Sequence, residues 1–163
     1  MADDPAAAEF WRRAAAAVGL DPAEDVPDAW SFADIPELAD ALLEAVLSGH
    51  KTGTSTSVAE LEDDGEPVPR VGDLSILIDG AGDARALIRT ISIAIRPFDE
   101  VDAEFAASEG EDDLSLAAWR DGNAAYFERV LARRGLPVEH LGALPLVLER
   151  FELLYPAPSR GTR

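Results

Sequence analysis

Apolar positions along the chain fall into helical and strand rhythms separated by polar, Pro- and Gly-rich breaks. "DPAAAEFWRRAAAAVG" predicts a helix from Asp4 to Gly19. Asp4 suits the N-cap, Pro5 the first turn and Gly19 the stop, while Phe10 and Trp11 would dock it on the body. "DPAEDVPDAW" is read as an irregular link. "DIPELADALLEAVLSG" predicts a second helix, with Asp34 near its cap and Pro36 at its start. Leu38, Leu42, Ala45 and Val46 recur at three- and four-residue spacing as its buried face, and Gly49 ends it. His50 and Lys51 then leave a helix end, and "TGTSTSVAEL" is expected to be extended. "DDGEPVPRVGD" is a polar turn and "LSILID" a strand. "GAGD" marks a hairpin into a longer strand, "ARALIRTISIAIRPF". In that strand Ile91, Ile93 and Ile95 share one face and Thr90, Ser92 and Ala94 the other. "FDEVDAEFAASEG" predicts a short helix ending near Gly110. A longer helix follows, opened by Asp113 or Ser115, weakened at Gly122 and closed at Gly135. "LGALPLVLERFELLYP" predicts a last strand, and "APSRGTR" a frayed tail. Helices mixed with antiparallel strands argue for an α+β fold.

Composition narrows the function classes. At 163 residues and 47% apolar content the chain suits one domain with its own core. It has no cysteine, which excludes disulfides and thiolate metal sites. No apolar run has the length of a membrane span. "MADDPAAAEF" places acids where a secretory signal needs bases, so a cytoplasmic location is expected. The net charge of −18 repels a phosphate backbone. No duplex DNA and no membrane are therefore expected as partners, while a small pocket reading one nucleotide stays open. The plainer reading of the same charge is a solubility-favouring surface.

Lys51 is the one lysine beside thirteen arginines, in "GHKTGTSTS". An arginine is a permanent planar charge, whereas a lysine amine can lose its proton when buried and serve as base or nucleophile. The run is not a phosphate loop: His50 stands where glycine is needed, and the helix precedes the lysine. "DGAGDARALIRT" fails as a calcium loop at Ala81, Ala84 and Thr90. Two histidines, His50 and His140, do not specify a zinc site. "SEGEDD" brings Glu109, Glu111, Asp112 and Asp113 together, as a solvated loop, a source of one site carboxylate, or a holder of a hard divalent cation. An amine at Lys51, a hydroxyl at Thr54 and such a carboxylate would make a general-base arrangement. The alternative is a surface lysine capping the last carbonyls of a helix.

The order of "GHKTGTSTS", "VPRVGDLSILID", "IRTISIAIRPFDEVDAEFAASEGEDDLSLAAWR" and "LERFELLY" resembles the ASCH domain family, relatives of the PUA-like RNA-binding fold. The match is placed over residues 30–155, after an N-terminal helical extension and link at 1–29 and before a flexible tail at 156–163. The resemblance implies a small β-barrel with helices packed around a central cleft. Some members remove an acetyl group from N4-acetylcytidine with a lysine, a threonine and a glutamate; one is reported as a ribonuclease, and others are thought only to bind RNA. By motif these catalytic residues are Lys51, Thr54 and Glu109, with Glu111 as the alternative acid. Thr52, Glu111, Arg70, Trp119 and Tyr126 are the expected substrate-binding residues, with Arg89 a further phosphate contact. The implied ligand is a nucleoside, nucleotide or single-stranded RNA. No resident cofactor is expected, though Mn²⁺ or Mg²⁺ would suit the acidic block. Long members often carry a histidine four residues after the tryptophan of the "SLxxWR" block, where this chain has Asn123.

Overall fold

The computed structural model describes residues 4–33, 35–110, 115–136 and 138–157. Its elements in chain order are α1 (Pro5–Val18), β1 (Asp28–Trp30), α2 (Pro36–Leu47), β2 (Gly53–Ser57), α3 (Val58–Asp64), β3 (Leu74–Ile78), β4 (Ala84–Pro97), α4 (Ala103–Ser108), α5 (Leu116–Arg133) and β5 (Pro145–Tyr155). Short 3-10 turns, Phe98–Glu100 and Leu141–Ala143, precede α4 and β5. The strands are ordered β1-β3-β4-β5-β2. The chain forms two compact units, and β4 and β5 each run through both.

The first unit comprises Met1–Thr52, Gly72–Thr90 and Phe151–Arg163. Asp4 caps α1 by accepting from the Ala6 N–H, and Gly19 closes the helix at φ 79°. Ala7, Phe10, Trp11, Ala14 and Ala15 bury one stripe of α1 with Ile76 and Leu87, so this helix is part of a core. The stretch expected as an irregular link contains β1, which pairs in parallel with β3. Three residues are too few for a periodicity to register. The buried stripe of α2 is Ala39, Leu43 and Val46, whereas Leu38, expected inside, is exposed. This stripe joins Leu77, Ala86, Ile88 and Phe151 in a second apolar cluster. β3 and β4 form the expected antiparallel hairpin, with Leu74 opposite Arg89 and Leu77 opposite Ala86. Asp34, placed near the α2 cap by the sequence pattern, lies outside the described residues.

The second unit comprises Gly53–Val71 and Ile91–Arg150. β2 pairs antiparallel with β5. It stops at Ser57 because that residue begins a helix: its hydroxyl accepts from the Glu60 N–H, and the Glu60 carboxylate accepts from the Ser57 N–H. The segment "VAELEDD" is thus α3, not the extended chain its neighbours suggest. Ser115 caps α5, which runs through Gly122 without a break; Asp113, the other expected cap, is not among the described residues. Phe98, Phe105, Trp119, Phe127, Leu146 and Leu148 share the apolar core of this unit. The exposed residues of β4 include Ile91 and Ile95.

Candidate functional site

Lys51 is placed by the end of α2. Gly49 adopts φ 85°, a conformation that suits glycine, and turns the chain back. The His50 and Lys51 N–H groups then both donate to the Ala45 carbonyl, at 2.9 and 3.0 Å. The lysine side chain turns inward and is 2% exposed. Its ammonium nitrogen lies 5.1 Å from the centroid of the Phe32 ring, a cation–π geometry. This is not the solvated lysine of a helix end. Thr52 is exposed, and its carbonyl accepts from the Phe151 N–H at 3.0 Å. His50 is exposed and its Nδ1 is 2.7 Å from Ser48 Oγ; His140 is exposed too.

Glu109 follows α4 as its C-cap residue and is 4% exposed. Ser55 and Trp119 are among the partners of its carboxylate. Ser55 Oγ, on β2, donates at 3.2 Å to Oε1, and Trp119 Nε1, on α5, donates to Oε2. A carboxylate this deep is tolerable because its lone pairs are met. Trp119, weighed as a wall for a bound base against core packing on its helix, is buried: its ring packs on Phe98 at 5.3 Å between centroids, and its N–H is engaged by Glu109. Tyr126 is half-buried, edge-on to Phe127 at 5.2 Å and 5.9 Å from the Arg129 guanidinium carbon. Asn123 donates its side-chain amide to the Trp119 carbonyl at 2.9 Å.

Thr54 is half-buried in β2. Ser55 follows it directly, so in an extended strand the two side chains leave opposite faces. Ser55 is the residue that meets Glu109. Across the ladder, Thr54 stands opposite Glu149, a second carboxylate that is 7% exposed. Sequence reasoning passed over Glu149 because "LERFEL" interleaves charged and apolar residues; the only available signal was its alternation with Val147 and Phe151. Arg70 is exposed in the loop before β3, and Arg89 pairs with Glu152, Nε donating at 2.8 Å. Glu111 lies outside the described residues, as does most of the acidic block considered for a cation. Among the described residues no three His, Asp or Glu side chains are grouped to hold a metal ion. No helix among them is long and apolar enough to cross a membrane.

The ASCH domain family model matches residues 28–155. A solved structure, protein EF3133 from Enterococcus faecalis, is similar over 96% of this chain and 96% of its own, with 30% identity and a TM-score of 0.81. The ASCH domain from Lactobacillus crispatus is similar over 95% of this chain and 99% of its own, with 24% identity and a TM-score of 0.82. No curated protein matches. The fold is α+β of the ASCH/PUA-like type, as the motif order implied.

Proposed function

The chain belongs to the ASCH domain family, and from that premise we propose that it binds a pyrimidine nucleoside, free or within RNA, and hydrolyses an amide on its exocyclic nitrogen. The domain is linked to RNA binding; the substrate class and the hydrolysis are our reading. One observation carries it: the only lysine of the chain is 2% exposed. Ordering and burying a long cationic side chain costs free energy. A charge whose only duty was solubility would stay in water. By the family motif we assign Lys51 the amine and Thr54 the hydroxyl that attacks the acyl carbon or anchors its oxygen. The bond from the acyl carbon to the exocyclic nitrogen breaks, that nitrogen takes a proton, and water carries the acyl group away as a carboxylic acid. Glu109, held by Ser55 and Trp119, fixes the strand that presents Thr54.

The direct test is turnover of N4-acetylcytidine, as nucleoside and within a short RNA, followed by chromatography of released cytidine. The wild type is expected to release it. Lys51→Ala and Lys51→Arg are both expected to lose about 100-fold or more, because arginine keeps the charge but cannot exchange the proton. Full turnover by either variant, or none by the wild type, refutes the hydrolase assignment. A second reading, binding without chemistry, is favoured by Asn123. It stands where long relatives often have histidine, and its amide is engaged by the Trp119 carbonyl of its own helix. Micromolar affinity for the nucleoside with no product would select that reading.

A further inference from the structure

The ladder between β2 and β5 sorts the polar residues of this region onto two faces. Gly53 stands opposite Arg150, Thr54 opposite Glu149, Ser55 opposite Leu148 and Thr56 opposite Val147. Directly opposed residues of an antiparallel pair project to the same side, and successive residues alternate. One face therefore carries Gly53, Ser55, Leu148 and Arg150. Its contacts identify what it looks at. Ser55 meets Glu109, Arg150 lies 5.8 Å from the Phe105 ring centroid and 3.5 Å from Glu104, and Leu148 packs in the cluster with Phe105 and Trp119. A β-carbon at Gly53 would touch Ser108. All of these partners belong to α4, its C-cap or α5. The other face carries Thr54 with Glu149, and Thr56 with Val147.

The carboxylate next to the Thr54 hydroxyl is thus Glu149, and the family motif does not include it. Opposed β-carbons lie about 4.5–5.5 Å apart, so one ligand edge can touch both side chains. A carboxylate is an acceptor, with room for about four hydrogen bonds, so a contact within the fold leaves capacity for a ligand. A hydroxyl donates as well as accepts. Side by side they suit an N–H group next to an unprotonated ring nitrogen, as on a cytosine-type edge: the carboxylate takes the N–H and the hydroxyl gives to the nitrogen. They also reject an oxygen placed where the N–H should be, because two acceptors would face each other in a poorly hydrated place.

We propose that Glu149 is a specificity residue of the nucleoside site, accepting the exocyclic N–H of a cytosine-type base and turning away a uracil-type base. This rests on the preceding functional reading, and the experiment separates the two. Cytidine and uridine are titrated into the wild-type chain and into Glu149→Gln by calorimetry. The wild type is expected to prefer cytidine by about 10-fold or more. Glu149→Gln, which offers an amide donor as well as an acceptor, is expected to bring the two affinities within about 3-fold. A merely structural role would weaken both nucleosides alike and leave their ratio unchanged, which overturns the assignment of Glu149 but not the nucleoside site. Failure of the wild type to bind either nucleoside overturns both. If Glu149→Gln does not fold, Glu149→Asp, which keeps the charge but withdraws it by a methylene, takes its place. It is expected to weaken cytidine and spare uridine, and an unchanged ratio again refutes the role.

Discussion

A methyl group on residue 53 would have its carbon 2.3 Å from Ser108 Oγ and 3.3 Å from Ser108 Cβ. Glycine is required there by the approach of α4 to β2, and Ser108 has little freedom to retreat, since its hydroxyl donates to the Phe105 carbonyl at 2.6 Å. Gly53→Ala is expected to destabilise the chain by about 1–3 kcal/mol, the usual range for overpacking. Adding Ser108→Ala should restore part of that loss by removing the nearest atom. Urea unfolding of the two single variants and the double variant measures the coupling directly, and additive effects would refute the close-approach argument. The residues of this run differ in how far their character could be read ahead. Lys51 announced itself by being the only one of its kind, but its burial depends on Gly49 turning the chain and on Phe32, nineteen positions earlier, supplying a ring. Glu109 is singled out by the resemblance, while its partners Ser55 and Trp119 come from other points of the chain. Glu149 was hidden, because a carboxylate in an alternating strand looks like a solvent-facing residue until the register is known.

At the scale of elements, what is legible is what is long, or what a turn signal bounds, as with β3 and α4. α1, α2, α5, β4 and β5 each repeat their pattern often enough to be read, and the caps Asp4 of α1 and Ser115 of α5 stand where the pattern puts them. β1 and α3 were not legible. In α3 the Ser-x-x-Glu box lies behind a run of hydroxyl residues that reads as strand. Ser57→Ala tests its weight: it removes the acceptor for the Glu60 N–H and a hydroxyl donating to the buried Glu60 carboxylate at 2.7 Å. The expected loss is about 1–2 kcal/mol in urea unfolding, and a loss near zero would mean α3 is held by other contacts. The turn between β3 and β4 gives a pH signature. Asp79 is held below its ordinary value of 3.8, first by the Asp83 N–H and then by the Ala81 N–H and Arg85, against a smaller opposing effect of burial. A lowered carboxylate pKa stabilises the fold above the unfolded value and loses that contribution as pH falls through the folded one. Asp79→Asn should therefore be less stable than the wild type at neutral pH. The difference should shrink only below about pH 4. Thermal midpoints at pH 7, 4 and 3 check this, and a constant difference across them would show that the charge of Asp79 is irrelevant.

For the whole molecule the governing quantity is a net charge of −18. Several arginines are already committed to acidic neighbours: Arg134 to Asp63 and Asp64, Arg85 to Glu44 and Asp79, Arg89 to Glu152. Most of these pairs are partly exposed, where an ion pair is worth about 0–1 kcal/mol. Their screening by salt costs little. The repulsion among the surplus carboxylates is longer-ranged and falls as the Debye length shrinks from about 30 Å to below 10 Å. Raising NaCl from about 10 mM to about 300 mM is therefore expected to raise the thermal midpoint, with self-repulsion relieved faster than ion pairs are lost. The same titration separates the ways a nucleic acid could be recognised. Binding by neutralised phosphates weakens steeply with salt, whereas a buried site that reads a base edge is nearly indifferent to it. Cytidine affinity should stay within about 3-fold across the range, while affinity for long duplexes should be weak throughout. A steep loss of cytidine-containing RNA with salt, together with a falling midpoint, would mean that a local cluster of arginines outweighs the acidic surface and would move the search for the site to Arg70 and its surroundings.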